Sequence, residues 1–155
     1  MLALASLLAI SCSKSDDDGT PASGSNTPPP DNTQEQYFIV KQGNDVYSEG
    51  TTTVQMIEYD GVKTLNIFSN YTSQNAMAEL EFYGIPNPGN YTPDGTMGFG
   101  FSKGTDWWFC GEGCVITISE HDESAKYLKG KVSGTMTTIQ GSSVNNISCE
   151  FGVEY

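Results

Sequence analysis

The sequence predicts an all-β protein: an antiparallel β-sandwich, or a partly open barrel, of about eight or nine strands that follows a disordered N-terminal tether. From Tyr37 onward, apolar residues recur at every second position, which is the period of a strand with one buried face. Clusters of Gly, Pro, Asn and Asp separate these runs and predict turns. The 17 Gly, 8 Tyr and 7 Phe among 155 residues are also typical of short strands.

Residues 1–11 are apolar or small and carry no charge, and they are too few to cross about 30 Å of hydrocarbon as a helix. We therefore expect a signal peptide. The segment leads into LAISC at residues 8–12, which resembles the lipobox of bacterial lipoproteins, although Ala9 stands where that motif usually has Leu. The resemblance implies that Cys12 carries lipid chains that hold the protein on a bilayer.

A hydrophilic run follows Cys12, in which Lys14 precedes the three consecutive aspartates Asp16, Asp17 and Asp18. This acidic run resembles the lipoprotein export signal of Bacteroidota. The resemblance implies a protein anchored to the outer membrane and exposed at the cell surface. A solvated charge run without a signalling role is the alternative interpretation.

Residues 12–36 form the next segment, which contains four of the seven prolines and no large apolar residue. Such a segment cannot bury enough surface to offset the entropy of ordering. We expect a tether that, as a random coil, reaches on the order of 25–30 Å. It is followed by a single β domain over residues 37–155.

Turn signals divide the domain into strands. Asp60-Gly61 is the strongest signal, because this dipeptide favours a two-residue hairpin of type I′. Residues 111–113 (GEG) are predicted to form a three-residue hairpin loop. The residues expected to face inward are Val54, Met56, Leu65, Ile67, Ala76, Ala78, Leu80, Phe82, Phe99, Phe101, Ile116, Ile118, Leu128, Val132, Met136, Ile147, Cys149, Phe151 and Val153.

The last three predicted strands, residues 114–120, 127–139 and 144–155, are expected to form a meander. Gly130 and Gly134 interrupt the middle strand, which indicates a bulge or the close approach of another group. GKVSGTM from residue 130 and NISCEFGVEY from residue 146 resemble the C-terminal end of small Bacteroidota lipoproteins with a domain of unknown function. That resemblance implies an architecture without an activity.

Three cysteines remain for the domain. Cys110 and Cys114 flank residues 111–113 and would face each other across a hairpin, so they can form a disulfide after a small adjustment. Cys149 is expected to point inward, and a bridge from it to either of the others is the alternative. A zinc site that adds His121 is disfavoured, because exported proteins usually oxidise such cysteines.

The charge excludes one class of partner. The chain has 19 acidic residues, 7 Lys and no Arg, so its net charge is −12, and a polyanion of this kind is a poor ligand for nucleic acid. From residue 36 onward, 14 acidic residues stand against 6 Lys, a net charge of −8. We expect no cofactor and no metal, since no phosphate-binding loop, dinucleotide motif or calcium loop is present.

Catalytic motifs are not evident either. His121 is the single histidine, and we expect it in an exposed acidic turn without a nucleophile motif nearby. Glu79 and Glu81 are accounted for by a solvated strand face. We therefore expect no enzymatic activity; a hydrolase or an inhibitor with a concave site near His121 or residues 111–113 is the least favoured alternative.

Aromatic residues provide the candidate contact surface. Trp107, Trp108 and Phe109 are consecutive, so in a two-faced strand either Trp107 with Phe109, or Trp108, points away from the core. The alternative interpretation is that a loop or the tether covers the outward rings, or that the strand is buried on both faces. Further candidates for exposed rings are Tyr59, Tyr71, Tyr83 and Tyr91. The sequence thus favours a tethered, non-enzymatic surface lipoprotein that binds a protein or another extracellular partner, and a carbohydrate-binding module is the alternative.

Overall fold

The alternating segments fold into eleven β-strands in the computed structural model, which describes residues 34–95, 97–144 and 146–155. In chain order these are β1 Tyr37–Gln42, β2 Asp45–Tyr47, β3 Thr51–Tyr59, β4 Val62–Tyr71, β5 Ala76–Tyr83, β6 Gly89–Tyr91, β7 Met97–Lys103, β8 Asp106–Asp122, β9 Tyr127–Thr138, β10 Ser143–Val144 and β11 Ile147–Glu154. A 3₁₀ turn at Thr72–Gln74 joins β4 to β5.

The strands form one antiparallel sheet that curves into an open half-barrel. The order across the sheet is β2-β1-β11-β9-β8-β7-β5-β4-β3, while β10 pairs with β9 and β6 pairs with β8. The all-β prediction is therefore confirmed, and the single curved sheet corresponds to its partly open barrel form. The predicted C-terminal meander is present as β8, β9 and β11.

The inner face of the sheet carries the core. In β5, for example, Leu80 and Phe82 are buried while Glu79 and Glu81 face outward, as period two requires. Tyr71 is also fully buried, and its hydroxyl donates a 2.8 Å hydrogen bond to the backbone carbonyl of Phe38. Because β4 and β1 are not neighbours in the sheet, this bond ties two distant strands together. The prediction that Tyr71 is an exposed ring is wrong.

Two local features confirm the sequence prediction. Asp60 and Gly61 both have positive φ (49° and 78°) between β3 and β4, which is the backbone of a type I′ hairpin. Gly130 lies where an added Cβ would meet the carbonyl oxygen of Thr117 and the ring of Phe151. Glycine in this strand therefore permits a close approach, as expected.

The GEG segment at residues 111–113 is not a hairpin loop, contrary to expectation. It lies inside β8, which continues from Asp106 to Asp122 along β9. The pairing shifts between Cys110 opposite Met136 and Cys114 opposite Gly134, so β8 bulges there. Glycine can take a positive φ in a bulge as well as in a turn, and β9 supplies a pairing partner on both sides of this one.

Strand β3 also differs from its prediction. Met56 was expected to face the core, yet it is 39% exposed. In the part of the chain that the structure describes, the strand pairs only with β4 and lies at the end of the sheet order. Its second half extends past the core, so both of its faces meet solvent.

The N-terminal predictions lie outside the described residues. They are the signal peptide at 1–11, the lipidated Cys12, the export signal of Lys14, Asp16, Asp17 and Asp18, and the tether as far as residue 33. Within the described part of the chain, no helix has the length and apolar character needed to cross a bilayer.

Candidate functional site

Three neighbouring strands, β5, β7 and β8, build a groove on the outer face of the sheet. Their register places Glu79 opposite Gly100, and Gly100 opposite Phe109, so one cross-strand row runs carboxylate, glycine, aromatic ring. Gly98 continues the glycine line on β7 and lies opposite Glu81. Since β7 projects no outward side chain at either glycine, it forms the floor, and β5 and β8 carry the walls. The groove encloses about 400 Å³.

One wall is aromatic. Trp107 and Phe109 are two residues apart on β8 and therefore share the outer face. Their rings are nearly parallel, with centroids 6.1 Å apart and an interplanar angle of 12°. Phe109 remains 42% exposed. This pair offers apolar ring surface directly beside an open floor.

Trp108 faces the opposite way. It is only 8% exposed and stacks on Phe101 in the core, with ring centroids 5.7 Å apart. The choice that the sequence left open is therefore Trp107 with Phe109 outward and Trp108 inward. Trp108 is a core residue, which corrects its assignment as a contact aromatic.

The other wall carries carboxylates. Glu79 and Glu81 are half-buried rather than freely solvated, because the groove shields them. Burial, together with the charge of Glu81, raises the pKa of Glu79 above its ordinary value. The groove is completed by Pro93, Asp94, Gly95, Met97, Phe99 and Cys110.

A disulfide lies at the groove's margin. Cys110 follows Phe109 and bonds to Cys114 across the bulge of β8, with their Cα atoms 5.4 Å apart. Cys149 is a free, buried thiol whose pKa is raised by burial. The structure therefore selects the Cys110–Cys114 pairing and not a bridge to Cys149. In the described ranges no group of three His, Cys, Asp or Glu is arranged to hold a metal ion.

His121 does not belong to the groove. It lies near the end of β8 rather than in a loop, and its Nε2 is 2.7 Å from the hydroxyl of Tyr155. It lies twelve positions after Phe109 on the same strand, about 40 Å along the chain. The histidine and the aromatic wall therefore cannot act on one small ligand.

A second exposed surface lies on the β3–β4 hairpin, at the edge of the sheet. Its apolar side chains meet solvent at Met56, Ile57, Tyr59 and Val62. Tyr59 is 78% exposed, as expected from the sequence. Of the other two predicted rings, Tyr83 is exposed and lies at the end of β5, while Tyr91 is half-buried and donates to the carbonyl of Asn87.

The groove floor is not among the sites that the sequence predicts. The signal was present at residues 97–101 (MGFGF), where glycine alternates with aromatic residues in a strand. Such a strand buries Phe99 and Phe101 and leaves its outer face bare. The glutamates of β5 were noticed, but their neighbours depend on the strand order, which alternation does not reveal.

Comparisons with protein-family models, with curated proteins and with solved structures found no match to this chain.

Proposed function

We propose that this protein is a non-enzymatic binding module and that the outer groove of β5, β7 and β8 is its ligand site. The observation that carries the proposal is the parallel Trp107 and Phe109 pair beside the glycine floor. Exposed aromatic rings beside a concave surface are unusual in a small soluble domain unless they bind something.

Carbohydrate is the ligand class that these walls suit best. A sugar ring has an apolar C–H face that packs on an aromatic ring, and hydroxyls that donate to carboxylates. Trp107 and Phe109 provide the first contact, while Glu79 and Glu81 across the floor provide the second. Two inter-strand spacings of about 4.8 Å separate the wall strands, a span suited to one sugar ring.

Hydrolysis is a weaker interpretation. Glycosidases place two carboxyl groups on either side of the bond that breaks. Glu79 and Glu81 both project from β5, so they approach a ligand from the same wall. Reducing ends should therefore not accumulate when the protein is incubated with an oligosaccharide it binds.

The binding test uses the mature chain with Cys12→Ser, secreted so that Cys110 and Cys114 oxidise. Screening on a glycan array should identify at least one bound glycan, and Trp107→Ala should abolish the signal. Tyr59→Ala is the matched control, because it removes an exposed ring outside the groove. Absence of binding to every glycan, or equal loss in both variants, would exclude this function for the groove.

The proposed address is the cell surface. It rests on the resemblance of residues 8–12 to a lipobox and of residues 14–18 to an export signal. Cys12→Ala should release the protein from the outer-membrane fraction. Replacement of Asp16, Asp17 and Asp18 by Ala should keep the protein on the membrane but protect it from protease added to whole cells. Unchanged fractionation or unchanged protease access would refute the corresponding claim.

A protein partner is the second candidate, favoured by β3. Among the described strands it has one unpaired edge, it ends in an apolar hairpin, and Glu58 is its only charged side chain. Edge strands of this kind accept an added strand unless charges block them. Amide hydrogen exchange in β3 should slow on native membranes relative to the purified protein; equal exchange rates would count against such a partner.

A further inference from the structure

We propose that the groove selects glycans that carry protonated amino groups over neutral and acidic ones. The inference rests on the proposed function and names the chemistry that distinguishes its ligands. The charge and the ring chemistry of the two walls support it independently.

The charged side chains that line the groove are all acidic. Its acidic lining residues are Glu79, Glu81 and Asp94, and among the described residues that line it there is no Lys or His. The carboxylates of Glu79 and Glu81 attract a cation that enters the groove and repel an anionic sugar. The rest of the domain, with its net charge of −8, adds to the same field.

Burial makes that attraction stronger than it would be at an open surface. Glu79 and Glu81 are half-buried neighbours on one strand, and their shared charge is unfavourable in the free protein. An ammonium group placed between them relieves this repulsion and adds charge-assisted hydrogen bonds. A neutral hydroxyl at the same point donates a hydrogen bond but leaves the repulsion in place.

The aromatic wall favours the same ligand. Tryptophan attracts a cation over its ring more strongly than the other aromatic residues do. Trp107 and Phe109 are nearly parallel, and both line the groove together with the carboxylates. An amino sugar combines an apolar C–H face with an ammonium group on one small ring. A lysine side chain has the charge but lacks the flat apolar face.

The experiment is calorimetric titration of the secreted mature chain with three hexasaccharides at pH 5.5: a glucosamine hexamer, its N-acetylated counterpart and a glucose hexamer. The glucosamine hexamer should bind at least tenfold more tightly than the other two. Glu79→Gln with Glu81→Gln should reduce this preference to within twofold, while Glu154→Gln, an exposed carboxylate on β11, should leave it unchanged. Trp107→Ala should abolish binding of all three.

The outcomes separate the two proposals. If a neutral hexamer binds as tightly as the aminated one, the groove is a glycan site, but the proposed preference for amino groups is refuted. If no hexamer binds but the glycan array identifies a neutral or acidic ligand that requires Trp107, the selectivity is refuted and the glycan site stands; if the array is negative as well, both proposals are refuted. If the aminated hexamer binds equally well to Trp107→Ala, or if oligolysine binds as tightly as the hexamer, the attraction is unspecific and the selectivity is again refuted.

Discussion

Phe109 covers Gly100: an atom of its ring lies 3.6 Å from the position that a Cβ on Gly100 would occupy. An aromatic ring leaning over a cross-strand glycine shields the backbone there and compensates for the missing side chain. For Gly98, the other outward glycine of β7, no described residue other than its chain neighbours has an atom within 4 Å of the position that a Cβ would occupy. One glycine of the strand is therefore covered and the other is bare, and the groove opens at the bare one.

Gly98→Val should close the groove without harming the fold. Its φ lies outside the positive range that favours glycine, and no described residue beyond its chain neighbours lies within 4 Å of its Cβ position, so we expect a branched side chain to be accommodated. Valine has a higher strand propensity, and we expect the free energy of unfolding to rise by up to about 1 kcal/mol. Glycan affinity should fall at least tenfold. Urea unfolding and calorimetric titration measure the two effects.

Gly100→Ala is the control for this prediction. Its Cβ would make ordinary van der Waals contact with Phe109 and would not enter the open part of the floor. Binding should persist in Gly100→Ala. Full affinity in Gly98→Val would place the ligand site elsewhere on the molecule.

Adjacent tryptophans should respond in opposite ways to truncation. Trp108→Ala removes a buried ring from the core and should cost about 3–5 kcal/mol of unfolding free energy. Trp107→Ala removes a ring from the outer wall, so it should cost much less stability but should abolish ligand binding. Denaturant unfolding of both variants tests this; equal destabilisation would mean that Trp107 is also structural.

The orientation of Trp107 and Trp108 shows which part of a strand's structure its sequence predicts. Alternation predicted that Trp107 and Trp108 point to opposite faces, because successive side chains in a strand always do. It did not predict which face is the core, since both rings are apolar. That choice depends on the register with β7, where Phe101 lies opposite Trp108. Register is a property of two strands and is not contained in either sequence alone.

The bulge in β8 shows a second limit of structure prediction from sequence. A GEG segment between two apolar runs satisfies the requirements of a three-residue hairpin and of a bulge equally well. What decides is the length of the facing strand: β9 spans Tyr127–Thr138 and pairs with β8 on both sides of the bulge. Local turn propensity is thus overridden by pairing with a strand later in the chain.

Two glycine-to-alanine substitutions should separate close packing from open space. Gly130→Ala places a methyl group against the carbonyl of Thr117 and the ring of Phe151, and should destabilise the protein by about 1–3 kcal/mol. Gly98→Ala should change stability by no more than about 0.5 kcal/mol, because the same methyl group meets nothing. Urea midpoints that shift equally would contradict the packing of β9 against β8 and β11.

The thiol pattern should identify one free cysteine in the domain. In the oxidised, secreted chain with Cys12→Ser, a thiol reagent should find no reactive group in the native state, because Cys149 is buried and burial raises its pKa. In denaturant it should find one thiol per chain. Reduction should release two further thiols, those of Cys110 and Cys114. It should also lower the free energy of unfolding by about 2 kcal/mol, because the disulfide closes a five-residue loop whose entropy is lost from the unfolded state. Peptide mapping that joins Cys149 to another cysteine would refute this pairing.

Ionisation of Glu79 should lower the free energy of unfolding as pH rises. Burial and the neighbouring Glu81 raise the pKa of Glu79 above its ordinary value of 4.5, so the folded state holds this proton more tightly than the unfolded state does. When the folded state binds more protons, the free energy of unfolding decreases with increasing pH through that interval. Glu79→Gln cannot titrate and should therefore melt at a higher temperature than the parent protein at pH 7.

The difference in melting temperature should shrink below pH 4.5, where Glu79 is protonated in both states. The effect is modest because the side chain keeps part of its solvent contact. Thermal unfolding from pH 3 to pH 8 at constant ionic strength measures it, with Glu154→Gln as the control. A difference that does not vary with pH would assign the effect to altered packing. A difference that closes in acid would assign the destabilisation to the ionised carboxylate of Glu79, because only that form is disfavoured by burial and by the charge of Glu81.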